Sequence, residues 1–444
     1  MTADSTWYYR RFDWKRMLVT TVLSLSLAMI AAAQESAFDL RAGRDKQWFK
    51  GNTHTHTLWS DGDAAPELAT GWYYDRGYHF LCLSDHNVMN DGSVEKWYPV
   101  IEGDTLPPGQ VDLITERFGP DWVVEKEIDG QRHMQLKTLP DLRGQFEQPG
   151  KFVLIAAEEV TGSSPSVHIN VINTRKLILP RFGKSIPDMI DLVFGEVEAQ
   201  SKVAGVPMVA HIDHPNWGEG VTTEELIAAA PGRYFEVYNG HGGVRNWGST
   251  SRHYPSTDRH WDIVLSMQLK DGPSKPLYGF GTDDTHAYFE QRIGLANAGR
   301  GWTMVLAESL DADSIVRAMQ QGHFYASSGV SLTSITANKK HYDVKIDAEP
   351  GVTYTTQFIG TMKGFDASSD PVLDADGNPI ARASHRYSAD IGSVLQETTD
   401  NSATYTLTGD ELYVRAKIVS SKAQENPFAK GDFESAWAPP FVNP

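Results

Sequence analysis

The segment GNTHTHTLWSDG, residues 51–62, carries His54 and His56 one residue apart and Asp61 ahead of a glycine. In an extended chain, residues two apart face the same side, so both imidazoles can address one object. Similar groups close other apolar runs. Asp85 and His86 end FLCLSDH, Glu158 and Glu159 lie in FVLIAAEEVTG, and His168 lies in SVHIN. His211 and His214 punctuate MVAHIDHPNW, and Asp284 and His286 end FGTDDTH. A lone histidine at a strand end is more often structural than functional. A whole set of imidazoles and carboxylates brought to one rim instead suits zinc, manganese or iron.

Those residues need a scaffold. From about Trp48 to Val330 the chain alternates short apolar runs such as HFLCLSD, KFVLIAAEE, PMVAH, RYFEVYN and LYGFGTD with helix-like segments. The helical candidates include APELATGWYYDRG, SIPDMIDLVFGEVEAQSKVAG and LDADSIVRAMQQG, the last capped by Asp311 or Asp313 and stopped at Gly322. Strand, helix, strand predicts a mainly parallel sheet, open or closed into a barrel. The polar groups above then sit at strand C-termini, where α/β barrels keep their chemistry. Residues 90–150 lack clean periodicity and read either as a lid or as a surface insertion. After Gly329 the texture changes to alternating strands and turns, so residues 331–444 are expected to form a separate small β-sandwich.

Composition bounds the rest. With 40% hydrophobic and 11% aromatic residues over 444 positions, the chain can bury a large core. Residues 1–33 read as a cleavable export leader: Arg10, Arg11, Lys15 and Arg16 precede an apolar run that ends at Ala31 and Ala33. The expected protein is therefore periplasmic or secreted, with no stable membrane span after cleavage. A net charge of -17 argues against nucleic acid as a partner. Cys82 is the single cysteine, so no disulfide forms within the chain, and it reads as a buried small residue. No G-x-S-x-G elbow, HExxH helix or P-loop is present. What remains is water activated by divalent ions, whose pKa falls to roughly 7.

The HxH followed by SDG, the strand-terminal SDH, the glutamate ahead of a histidine, the HP and the late DxH together resemble the PHP (polymerase and histidinol phosphatase) superfamily. AHIDHPNW, FEVYNGH, GTDDTH, GRGWTMV and GHFYASSG are similar to its branch of secreted or periplasmic carbamate-hydrolase-like proteins. The resemblance covers about residues 48–329. It implies an α/β protein, a distorted (β/α)7 barrel within residues 34–330, with two or three divalent ions at its C-terminal rim. His54, His56, a glutamate and Asp284 would hold the first ion. The glutamate would bridge to a second, completed by His168 and a histidine of HIDHP, while Asp61, His86 and His286 would hold a third. Glu159 fits the bridge better than Glu158, which then faces the other side of the strand. His214 fits the HP text, whereas His211 sits where the strand should end, and both stay candidates.

Around the ions, Arg300 is a candidate receiver of phosphate or carboxylate, and His241 a candidate acid toward the leaving group. Asp85 would orient a ligand histidine, and Asn239 and Trp217 would line the pocket. The expected function is a metal-dependent phosphoesterase acting on a small phosphodiester or phosphomonoester. Hydrolysis of a carboxylic or carbamic ester is the second reading, and a non-catalytic envelope binding protein the third. An inward Arg300 would favour the anion, and walls of Trp217, Trp247 and Trp302 an aryl ester. The sequence leaves the oligomeric state open.

Overall fold

The computed structural model describes residues 37–100, 109–162, 167–180, 183–230, 232–272 and 274–443. The export leader expected over residues 1–33 lies outside them. Among the described residues no helix is long and apolar enough to cross a membrane.

Thirteen strands run from the start of the described chain through the site-bearing half. They are β1 (Phe38–Arg41), β2 (Gln47–Asn52), β3 (Phe80–Leu83), β4 (Trp97–Pro99), β5 (Glu125–Ile128), β6 (Gln131–Gln135) and β7 (Val153–Thr161). After them come β8 (His168–Ile172), β9 (Val209–Ile212), β10 (Tyr234–Asn239), β11 (Tyr278–Thr282), β12 (Trp302–Ala307) and β13 (Phe324–Ser327). The main sheet has the order β11-β10-β9-β8-β7-β3-β2-β12-β13 before it continues into the C-terminal half. Strands β2, β3 and β7 are parallel, as are β9, β10 and β11. Strand β8, however, is antiparallel to both β7 and β9. The sheet is thus mixed rather than mainly parallel. Only residues 162–167 separate β7 from β8, and a parallel return needs a dozen or more. The reversal has a useful result, because it delivers His168, the first residue of β8, to the end of β7 where Glu159 lies.

The hydrogen-bonded ladder does not close into the expected barrel, since β11 is an edge of the sheet. Beyond the strands the two ends nevertheless meet. Thr55 and Thr285 form an isolated parallel bridge, the Asp284 amide donates to the His54 carbonyl at 3.0 Å, and the His56 amide donates to the Thr285 carbonyl at 3.0 Å. The ends of β2 and β11 therefore share one rim.

Helices α1 (Pro66–Asp75), α2 (Gln110–Phe118), α3 (Leu139–Phe146), α4 (Ile186–Ala204), α5 (Thr223–Ala228), α6 (Thr257–Leu269) and α7 (Ala312–Gln320) dress the sheet. Helix α4 starts where the Ser185 hydroxyl accepts from the Asp188 amide and stops at Gly205, whose φ of 67° is the left-handed value that glycine reaches at little cost. Asp311, not Asp313, caps α7. Its stripe of Ile315, Val316 and Met319 packs with Phe49, Phe80, Phe280 and Val305 in a buried core. Each such side chain contributes about 1.5–3 kcal/mol. Cys82 lies in that core, and burial pushes its thiol pKa up.

The described residues within 90–150 form the three-stranded sheet β4-β6-β5 and helices α2 and α3. Its apolar side chains Ile114, Met134 and Leu136 close on Leu58 and Trp59, which belong to the loop between His56 and Asp61. The Trp59 indole N–H donates to the Lys137 carbonyl at 2.9 Å, and Lys96 Nζ donates to the Trp59 carbonyl at 2.6 Å. This segment buttresses the loop that carries two of the histidine-cluster residues.

In the C-terminal half two sheets share one core, and both take strands from the N-terminal half. Strand β1 pairs antiparallel with Leu332–Ala337, so the N-terminal side of the chain supplies a strand to the far sheet. Strand β13 pairs with Phe433–Trp437, making the other sheet continuous with the main one. A shared core of Leu40, Leu306, Tyr325, Ile335, Phe358 and Ile418 joins the two halves.

Candidate metal centre

His54 and His56 follow β2, His86 follows β3, Glu159 lies near the end of β7, His168 opens β8, His214 follows β9, and Asp284 and His286 follow β11. The fold brings all of them together. The Nε2 atoms of His54 and His56 lie 3.3 and 3.2 Å from Glu159 Oε2, and each is 3.2 Å from Asp284 Oδ1. Four atoms held about 2.0–2.1 Å from one ion stand roughly 3.3 Å apart at tetrahedral corners. The four imidazole-to-carboxylate edges match.

The hydrogen-bond ledger supports the same fit. His54 Nε2, His56 Nε2, both Glu159 carboxylate oxygens and His168 Nδ1 are buried and have no hydrogen-bond partner. Buried polar atoms are almost always satisfied, so orphans converging on one spot fit a group that accepts their lone pairs. Two further clusters adjoin the first. Glu159 Oε1 is 2.7 Å from His168 Nδ1 and 3.6 Å from His214 Nε2. Asp61 is 3.3 Å from His286 Nε2, 3.5 Å from His86 Nε2 and 3.6 Å from His56 Nδ1. Buried histidine, glutamate and aspartate groups that fit a multinuclear metal site are thus present.

Electrostatics point the same way. Burial opposes charge on His54, yet Asp284, Glu236 and Glu159 hold its pKa well above the ordinary value. Burial likewise opposes charge on Glu159 and Asp284, but the surrounding histidines keep both well below the usual carboxylate range. His214, whose burial is outweighed by Glu159 and Asp284, rises to about 9. The pocket attracts positive charge. Its backbone is strained to suit: His214 and Asp284 have φ of 22° and 49°, each costing about 1–3 kcal/mol for a non-glycine residue.

Other expected residues lie elsewhere. His211 does not reach the rim: Nε2 is 3.1 Å from Thr53 Oγ1, Nδ1 is 2.7 Å from Asp213, and the ring stacks on Phe280. Its place within β9 points it into the interior, and burial lowers its pKa to about 3. Glu158 faces away from the cluster, accepting the Ile178 amide at 2.7 Å, and burial pushes it up to about 8. Arg300 is buried and donates to the carbonyls of Gly240, Arg292 and Leu295 and to Asn297. With its guanidinium buried, both terminal nitrogens bonded to carbonyls and to the Asn297 and Asn426 side chains, Arg300 presents no surface to the rim. Asp85 accepts from the Thr57 amide, the Thr57 hydroxyl and the Ser60 hydroxyl at 2.7–2.9 Å. Ser60 Oγ is in turn 3.2 Å from His56 Nδ1, so Asp85 acts on the cluster through Ser60 and the loop and touches no open space at the rim.

His241 is half-buried at the rim with its ring 5.3 Å from His286. Its Nδ1 accepts from the Gly243 amide at 3.0 Å, and burial lowers its pKa to about 4. Trp217 is 40% exposed, its ring 5.4 and 5.5 Å from His168 and His214. Trp247 and Trp302 instead line two separate cavities. Sequence reasoning missed Glu236 and Asp213, both fully buried beneath the cluster. Glu236 Oε1 is 2.7 Å from His54 Nδ1. Its one sequence signal is a carboxylate at an inward position of the apolar strand FEVYN.

No family model and no curated protein matches the chain. Among solved structures, a two-domain protein of Bacteroides vulgatus, described as containing a predicted PHP-like metal-dependent phosphoesterase, is similar at 14% identity and a TM-score of 0.38. The similarity covers 90% of this chain and 98% of that one.

Proposed function

We propose that the protein is a metal-dependent phosphoesterase that hydrolyses a small phosphodiester or phosphomonoester. The observation carrying this reading is the convergence of His54 Nε2 and His56 Nε2, buried and without hydrogen-bond partners, on Glu159, whose two oxygens are likewise unpartnered, and on Asp284 Oδ1. We assign His54, His56, Glu159 and Asp284 to one ion, Glu159, His168 and His214 to a second, and Asp61, His86 and His286 to a third. Nitrogen and oxygen donors without thiolate favour zinc, manganese or iron. When bound, such ions supply Lewis acidity toward water and toward a substrate oxygen. The curled seven-strand arrangement from β2 to β11 is read as a distorted barrel, and the leader as export to the periplasm or beyond.

The chain's own groups then do the positioning. His241, with Nδ1 occupied by the Gly243 amide, presents Nε2–H at the rim as a donor to a leaving-group oxygen. Trp217 offers an aromatic wall beside His168 and His214. Burial of the ligand atoms excludes bulk water from their far side.

Hydrolysis of a carboxylic or carbamic ester is the second reading. The absence of Arg300 from the rim and the exposed Trp217 favour it, since an aryl ester needs a flat apolar wall more than a second cation. Elemental analysis of the purified protein, joined to rates on matched aryl phosphodiester, phosphomonoester and carboxylic ester substrates, tests both. The phosphoesterase reading expects two or more metal equivalents and phosphoester turnover lost on chelation. Faster carboxylic ester turnover would promote the second reading, and no metal with no turnover would overturn both.

A further inference from the structure

Glu236 accepts four hydrogen bonds in a fully buried position. Oε1 receives His54 Nδ1–H and the Thr282 hydroxyl, each at 2.7 Å, and Oε2 receives the His214 amide and Asn239 Nδ2–H, each at 2.7 Å. Four donors match the roughly four lone-pair sites of a carboxylate, so although Glu236 lies close to His54 and Asp213 in a ligand-type cluster, its lone pairs are taken by the chain. The donors come from beyond β2, from beyond β9, and from β10 and β11. One side chain thus ties four strand ends together under the ligand cluster.

Each tie reaches a ligand. The bond from His54 Nδ1–H selects the tautomer that leaves the Nε2 lone pair facing Glu159 and Asp284. The bond from the His214 amide holds that residue in its left-handed conformation. Asn239 Nδ2 also lies 3.2 Å from Asp284 Oδ2, so Asn239 carries the restraint from Glu236 to the carboxylate oxygen outside the nest. We infer that Glu236 is the positioning residue of the metal centre, setting the tautomer of His54 directly and the orientation of Asp284 through Asn239. This rests on the metal reading of the site.

Glu236→Gln is the informative substitution. The amide has a single acceptor oxygen, so its NH2 must face two donors whichever way it is turned. Calorimetric titration of metal-free protein with Mn2+, alongside the thermal midpoint of the same metal-free protein, separates positioning from a structural role. The expected result is Mn2+ affinity about 10–100-fold weaker in at least one equivalent, with the metal-free midpoint no more than a few degrees changed. Asn239→Ala, which keeps Glu236 but cuts its link to Asp284, should weaken Mn2+ by a smaller factor, and it decides the matter if Glu236→Gln does not fold. Wild-type Mn2+ affinity in the folded variants would overturn the inference. Wild-type protein that binds no Mn2+, Zn2+ or Fe2+ would instead overturn the metal reading on which it stands.

Discussion

Among the described residues, the buried charge cluster at the seam and the one at the rim are finished differently. At the seam between the halves, Arg415 makes paired bonds of 2.8 Å to both oxygens of Asp262, and Lys417 Nζ lies 2.6 Å from Asp258. Tyr413 and Trp437 add donors to the same two aspartates. Asp258 and Asp262 stand one turn apart on α6, and Arg415 and Lys417 alternate on the strand Glu411–Ala423. Opposite charges answer one another there. At the rim, by contrast, carboxylates and imidazoles turn their lone pairs toward a common point without protons enough to share. Both clusters carry the cost of burying charge, but the seam answers its carboxylates with an arginine and a lysine, leaving Asp258 Oδ1 and Arg415 Nη1 without hydrogen bonds, whereas the rim has only imidazoles to offer. Burial, charge and a single unpartnered atom therefore do not mark a functional site; several unpartnered ligand atoms converging on one point do.

Breaking the rim should give the largest effect. His56→Ala or Asp284→Ala is expected to lower turnover by about 10³-fold or more, with far-UV circular dichroism nearly unchanged because neither side chain fills the apolar core. Wild-type rates in either variant would remove that residue from the ligand set. The seam should respond oppositely. Arg415→Met strands Asp262 in the interior and is expected to cost about 3–5 kcal/mol in urea unfolding, while turnover per folded molecule stays as in the wild type. Adding Asp262→Asn should recover part of the loss, and additive losses would mean that the pair is not coupled.

A smaller effect sharpens the same contrast through pH. Burial alone would raise the Asp258 pKa, but Lys417 and Arg415 bring it down to about 2 from 3.8. A carboxylate with a depressed folded pKa stabilises the fold above the unfolded value and loses that contribution as pH falls through the folded one. Between about pH 4 and pH 2 the protein should lose on the order of 2 kcal/mol by this route. Urea midpoints at pH 5 and pH 2.5 measure it, and Asp258→Asn should flatten the difference. The smallest effect belongs to Glu158→Gln, expected to leave turnover within about twofold, whereas Glu159→Gln removes it. An inactive Glu158→Gln beside an active Glu159→Gln would reverse the assignment.

The linear chain made some of this legible and hid the rest. Apolar runs marked β2, β3, β7, β8, β9, β10, β11 and β12, most of them with histidine or carboxylate at their ends, because strand burial and strand-end chemistry are local in sequence, whereas β4, β5 and β6 lie in the stretch without clean periodicity. The antiparallel β8 was written in the brevity of residues 162–167, although the strand–helix rhythm around it suggested a parallel sheet. Arg300 misled because an arginine in GRGW is indistinguishable by sequence from one that faces solvent. Its carbonyl partners come from Gly240, Arg292 and Leu295, none of which announces itself.

Residue type, order and spacing were enough to name the donor atoms and the class of ion they suit, since that chemistry belongs to imidazole and carboxylate wherever they sit. Direction and partnership came from the assembled fold. Strand alternation already set Glu158 and Glu159 on opposite faces; the fold decided that the Glu159 face meets the cluster while Glu158 meets the Ile178 amide, and depth along β9 separated His214 from His211. Glu236 joined the site only because four strand ends, drawn from residues 54 to 282, deliver their donors to one carboxylate. Hydrogen bonds act over about 3 Å, and only folding brings residues so far apart in the chain within that reach.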